Sequence, residues 1–192
     1  MGNKFEWFIL EGKQILTTFA TPEQQGFATR YFKEVGTLGQ RGKFDGTPKR
    51  QRMGLVGQII FTDFLGLPRP TPQKGFDGGW DFILNGVKYD VKMRSGTVDF
   101  RPNFAINFVE QQINYPCDIY VFGYCNRETW KFFFLGYLTK KEFIAKAKLY
   151  KEGEVRPNPK GGLPLLNPNR EATFQDLKCL SEIFPTVRSE VK

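Results

Sequence analysis

Asp81, Asp90 and Lys92 are the residues of this chain whose types and spacing best fit joint chemistry. They lie in Gly79-Trp80-Asp81-Phe82-Ile83-Leu84-Asn85-Gly86-Val87-Lys88-Tyr89-Asp90-Val91-Lys92. Asn85-Gly86 between two apolar-rich runs signals a hairpin, because a type I′ turn needs positive φ at both central positions. A two-residue turn sets Leu84 opposite Val87, Ile83 opposite Lys88, Phe82 opposite Tyr89 and Asp81 opposite Asp90. Direct cross-strand neighbours have Cβ atoms roughly 4.5–5.5 Å apart, and like charges there destabilise a sheet. The pairing makes sense if a cation belongs between the acids. Side chains alternate along a strand, so Lys88, Asp90, Lys92 and Arg94 share one face. Lys92 then stands one pleat from the carboxylates. Mg²⁺ takes one or two carboxylates plus waters and substrate phosphate oxygens. It would acidify a bound water and neutralise charge as a phosphodiester is hydrolysed, with Lys92 orienting the water. A lone (D/E)-x-K tripeptide most often marks a half-solvated strand. Here the Asp81 partner, the turn and the basic chain favour chemistry.

Composition narrows the options. The 192 residues suit one domain, and 40% hydrophobic and 16% aromatic content, with 20 phenylalanines, supply a core. There is no histidine. That excludes histidine-ligated zinc hydrolases, Ser-His-Asp and Cys-His enzymes, and nucleases with a histidine base. Net charge is +8, which suggests a polyanionic partner. Cys117, Cys125 and Cys179 form neither a zinc pattern nor a disulfide framework, so Cys117 and Cys125 are expected to pack as small apolar residues. No apolar run approaches the ~18 residues of a membrane span, and the N-terminus lacks a signal-peptide core. A cytoplasmic protein with no membrane partner is the expectation.

The elements that must position the three residues are read in order. Residues 4–19 read as a short strand or a hairpin, Phe5–Leu10 followed by Glu11-Gly12. Thr21-Pro22 starts a helix to about Val35. A Gly-rich basic loop covers 36–50, and a second helix runs from about Pro48 to Leu65. Residues 66–78 are a Pro/Gly loop, followed by the hairpin at 80–94. The run 103–114 is a helix or an extended crossover. Asp118–Tyr124 and Trp130–Gly136 read as strands joined by a turn at Asn126-Arg127-Glu128. Thr139, with Glu142 at capping-box spacing, starts a helix through about Leu149. Pro and Gly make 151–171 a loop, and 173–184 reads as a last helix. Helices followed by strands in this order imply an α/β domain on a mixed sheet.

This ordering, with Gly79-Trp80-Asp81 and Asp90-Val91-Lys92, resembles the PD-(D/E)xK nuclease superfamily over about residues 47–145. The resemblance implies a restriction endonuclease-like central mixed sheet flanked by helices, in a single nuclease-like domain with a C-terminal loop and helix over 151–192. It assigns the metal, Mg²⁺ or Mn²⁺, to Asp81, Asp90 and Val91, and the water to Lys92. The strands Asp118-Ile119-Tyr120-Val121-Phe122 and Phe134-Leu135-Gly136 resemble later strands of phage and bacterial members. Two departures stand out: Trp80 replaces the motif proline, and Gly57-Gln58 stands where many members carry Gly-Glu. Gln58 could reach metal or its water through a carbonyl oxygen, but brings no charge.

DNA is the expected substrate, and cutting both strands of a duplex would favour a homodimer. Arg41, Lys43, Lys49, Arg50 and Arg52 are expected to contact phosphates before the helix that carries Gln58. Arg94 and Arg101 could clamp phosphate bidentately. Gln111 and Gln112 could add contacts near the site, although plain surface polarity is the stronger reading of that pair. A binding protein that keeps the fold but no longer cuts is the alternative. A carboxylate-pair glycosidase is a third, disfavoured by the lysine and the basic chain.

Overall fold

Glu11 and Gly12, at φ 45° and 77°, turn β1 (Glu6–Leu10) back onto β2 (Lys13–Phe19). Asn85 and Gly86, at φ 51° and 79°, do the same for β3 (Phe82–Leu84) and β4 (Val87–Gly96). In the second hairpin Phe82 pairs with Tyr89, Ile83 with Lys88 and Leu84 with Val87, the register set by the two-residue turn. The Phe82 and Tyr89 rings stack with centroids 5.0 Å apart. In this computed structural model the described residues are 3–36, 47–72, 78–156 and 163–185.

Three threonines start the three α-helices. Thr21 caps α1 (Pro22–Val35) in a capping box with Gln24, Thr47 caps α2 (Pro48–Phe64), and Thr139 caps α3 (Lys140–Lys146) in a box with Glu142. Each hydroxyl takes an N–H that the first helical turn leaves unpaired.

The strands β6 (Ile119–Asn126) and β7 (Lys131–Thr139) complete a six-stranded sheet in the order β1-β2-β7-β6-β4-β3. Only β4 and β6 run parallel; the other pairs are antiparallel. The protein is therefore mixed α/β with a mixed central sheet, the class expected. One face packs on α2 and α1 through Val91, Val121, Phe134, Ile60 and Phe61. The other carries Tyr120, Phe122 and Leu135 into a second core with Phe108, Phe143 and Phe174.

That second core differs from expectation. The run 103–114 is neither helix nor plain crossover: it holds a strand, β5 (Ile106–Val109), then a 3-10 turn (Glu110–Asn114). The helix from Thr139 ends at Lys146, and β8 (Lys148–Tyr150) follows instead of its last turn. The loop 151–171 ends in β9 (Asn169–Ala172), which pairs with both β5 and β8 to make a separate three-stranded antiparallel sheet. Residues 173–184 form two 3-10 turns rather than a helix. Between them Lys178 bridges to Tyr137 through two backbone hydrogen bonds of 3.0 Å, which holds that stretch extended. Gly136 makes this approach possible: a Cβ there would stand 2.4 Å from the Lys178 carbonyl oxygen. No helix among the described residues is long and apolar enough to cross a membrane.

Candidate functional site

The hairpin ladder begins at Phe82, so Asp81 is a bend residue rather than a strand residue. Its N–H donates to the Tyr89 carbonyl at 2.7 Å, one residue out of step with the Phe82–Tyr89 pairing, so the ladder does not set Asp81 directly opposite Asp90 as expected. Its side chain turns toward β4, where Oδ2 accepts the Val91 N–H at 2.7 Å. The carboxylate thus takes the place of the next strand residue along that edge.

Asp90 lies one position before Val91 and is buried, as are Tyr89 and Val91. Tyr89 and Val91 join the core under α2, so alternation sends Asp90, Lys92 and Arg94 to the opposite face. Lys92 Nζ stands 2.6 Å from Asp90 Oδ2, with the side chains only 16% and 10% exposed. The ammonium lies 5.2 Å from the Phe108 ring centroid and 6.0 Å from that of Tyr120. The carboxylate and the two ring faces are the partners that offset the burial of this side chain.

Asp81 joins this pair around the Cys117 thiol. Burial pushes that thiol up to about 12; Asp90 and, more weakly, Asp81 act in the same direction, and Lys92 opposes them. Asp81 adjoins the Asp90–Lys92 pair through the main chain: its carboxylate is bonded to the N–H of Val91, the residue between them. The parallel register places Tyr120 beside Asp90. Its buried hydroxyl has no hydrogen-bond partner among the described residues, and burial raises its pKa, with Cys117, Asp90 and Glu110 adding to the shift. Cys117, Phe108 and Tyr120 were not singled out as site residues from the sequence. Only the long-range pairing of β4 with β6 and the covering β5 bring them there.

Gln58 reaches Asp81 from α2. Its amide nitrogen donates to the Asp81 carbonyl oxygen at 3.3 Å, so its contact is to the main chain that presents the carboxylate. Gly57 allows this approach: a Cβ there would stand 2.5 Å from Met93 Cγ.

The expected phosphate-contacting residues divide. Arg41 and Lys43 lie outside the described residues. Lys49 and Arg50 are exposed in the first turn of α2, which carries no acidic residue, and positive charge at that end opposes the helix dipole. Arg52 turns inward, donating to Thr29 Oγ1 at 2.8 Å and lying 5.8 Å from the Trp130 ring centroid. It ties α2 to α1 and to the start of β7. Arg94 shares the Asp90 and Lys92 face and donates to the Ala105 carbonyl, whereas Arg101 is exposed in the following loop. Gln111 is exposed and Gln112 partly buried in the 3-10 turn.

Among the described residues no three His, Cys, Asp or Glu side chains gather as a metal cage. A metal would rest on two carboxylates, Asp81 and Asp90, completed by water and substrate. That oxygen donor set fits a hard divalent cation such as Mg²⁺. The Asp90 carboxylate already faces Lys92 at 2.6 Å, so a metal would have to share it with that ammonium. Comparison of the chain with protein-family models, curated proteins and solved structures finds no match in any of the three.

Proposed function

We propose that this protein is a metal-dependent nuclease of the PD-(D/E)xK type that hydrolyses phosphodiester bonds of DNA. The observation that carries this reading is the 2.6 Å ion pair of Asp90 and Lys92, with the Asp81 carboxylate bonded to the N–H of Val91 between them. Asp81 and Asp90 would hold Mg²⁺ or Mn²⁺, with the Val91 main chain beside them. The metal would supply positive charge and Lewis acidity toward the phosphate. Lys92 lies where it can orient the attacking water and add charge, and Phe108 and Tyr120 keep bulk solvent from its inner side. Gln58, through the Asp81 carbonyl, sets the angle at which that carboxylate is presented. Lys49 and Arg50 extend positive charge beyond the site, and a homodimer would allow both strands of a duplex to be cut.

One observation favours a second reading, a nucleic-acid-binding protein of the same fold that no longer cuts. Asp90 is largely buried and already neutralised by Lys92, and the glutamine at position 58 adds no charge. The two readings separate in a cleavage screen on single-stranded, duplex and branched DNA and on RNA, with Mg²⁺, Mn²⁺ or EDTA. The nuclease reading requires metal-dependent cleavage of at least one DNA substrate. Binding with no cleavage under any condition supports the second reading.

A further inference from the structure

We infer that Arg94 and Arg156 form a clamp for the phosphodiester backbone of DNA beside the Asp90–Lys92 pair, and that the small C-terminal sheet carries one jaw of it. The inference rests on the nucleic-acid part of the function proposed above. It adds a site outside the segment that resembles the nuclease core, because β8, β9 and Arg156 all follow residue 145.

The geometry runs through β5. Arg94 is two residues past Lys92 on the same face of β4, and it donates to the Ala105 carbonyl, just before β5. Arg156 follows β8, and its Nη1 lies 3.0 Å from Glu171 Oε2. Glu171 sits on β9 directly opposite Asn107 on β5. The two anchor points are thus two residues apart along β5 and one strand across. At about 3.3 Å per residue and about 4.8 Å between strands, they are on the order of 8 Å apart, within reach of two arginine side chains. A cavity of about 10 Å³, the size of one water, lies between Lys92 and Arg94 and is also lined by Asn107. Of the clamp arginines it touches Arg94, beside the lysine of the site.

The electrostatics agree with the placement. Arg94 keeps contact with solvent, yet protein crowds its guanidinium. Burial first, then Arg156, push its pKa down; Glu171 opposes this, and Arg50 adds a smaller push in the same direction. A guanidinium stays protonated regardless. Two guanidinium groups, those of Arg94 and Arg156, therefore lie near each other, with Glu171 holding one of them. Ala105 takes one of the five N–H donors of Arg94, and Glu171 one of those of Arg156. These anchors fix the forks before any ligand arrives. Guanidinium forks match phosphate oxygens bidentately. The adjoining Asp90–Lys92 pair and the net charge of +8 select a phosphodiester chain over an isolated anion.

The test measures binding without cleavage: fluorescence anisotropy of a fluorescein-labelled DNA duplex in EDTA, across a NaCl series, with full-length protein. Arg156→Gln should weaken binding about tenfold and reduce the log–log salt slope by about 0.9. Arg156→Lys should keep the slope. Glu171→Gln breaks the same ion pair but removes the opposing charge, so it should tighten binding. A merely structural ion pair would weaken binding in both Arg156→Gln and Glu171→Gln, and that result overturns the clamp. So does an unchanged slope in Arg156→Gln, or a wild type that does not bind. A wild type that binds with an Arg156-dependent slope but cuts nothing in Mg²⁺ or Mn²⁺ overturns the nuclease reading and leaves the clamp standing. A wild type that cuts, with the slope unchanged in Arg156→Gln, overturns the clamp alone.

Discussion

The Asp81 carboxylate accepts the Val91 N–H at 2.7 Å, across the hairpin from its own strand. The acid therefore has a structural task besides any chemical one, and the two can be separated. Asp81→Asn keeps an oxygen acceptor for Val91 and removes the charge. Asp81→Ala removes the acceptor and leaves a partly buried N–H unpaired, at about 1–3 kcal/mol. Urea denaturation should show Asp81→Ala clearly less stable than Asp81→Asn. In thermal melts Mn²⁺ should raise the midpoint of the wild type and not that of Asp81→Asn. An equal metal response in both would remove Asp81 from the ligand set.

The Lys92–Asp90 pair makes a related prediction. Replacing one member of a buried ion pair leaves the other charge uncompensated, at about 3–5 kcal/mol for full burial. Lys92→Met should therefore destabilise the metal-free protein, and Mg²⁺ or Mn²⁺ should restore much of the loss by supplying positive charge at Asp90. Melting curves with EDTA and with metal check this. Equal destabilisation in both conditions would place the metal elsewhere.

Glu142 carries a pH dependence far from the site. Its hydrogen bond with Lys178, together with the Thr139 cap, holds its carboxyl at about 2, below its usual 4.5. A depressed carboxyl contributes stability that is complete above the unfolded value near 4.5 and lost as pH falls toward 2. The side chain is 28% exposed, so the contribution is expected to be about 1 kcal/mol rather than the full shift. Glu142→Gln should cost about that much at pH 6 and progressively less as pH falls toward 2. A cost independent of pH would trace the effect to packing.

Gly136 is the position where the C-terminal segment meets the central sheet. It has φ 148°, and a Cβ would collide with the Lys178 carbonyl. Gly136→Ala should cost at least about 1–3 kcal/mol through strain and should expose Lys178 and its neighbours to hydrogen exchange. Unchanged protection there would show that the bridge does not depend on the glycine.

These positions also mark what could be read from the chain. Asn85-Gly86, Thr21-Pro22 and the Thr139–Glu142 pair act on residues within four positions, so the second hairpin and these helix starts were legible. The register of Phe82, Ile83 and Leu84 against Tyr89, Lys88 and Val87 followed from the turn alone, but its continuation to Asp81 and Asp90 did not hold. The strands β5, β8 and β9 were not legible. Ile106 pairs with Ala172 and Lys148 with Glu171, and three- or four-residue strands carry too little alternation to declare partners so far away. The final helix was misread for the same reason: the Tyr137–Lys178 bridge overrides the local pattern. At the site the acids and lysine were legible, but their surroundings were not. Cys117 and Tyr120 come from β6 and its approach, and Phe108 from a strand hidden in the crossover. Arg52 read as a phosphate contact of the basic segment, whereas its guanidinium is engaged by Thr29 and Trp130.

Single-turnover cleavage of labelled DNA by wild type, Asp81→Asn and Lys92→Met, in Mn²⁺ and in EDTA, tests the proposed site most directly. The expected result is metal-dependent cleavage by wild type, with the rate lowered on the order of 10²–10³-fold in each variant while DNA binding persists. Wild-type cleavage that survives EDTA, or that proceeds unchanged in both variants, would contradict a metal site built on Asp81 and Asp90 with Lys92 beside it.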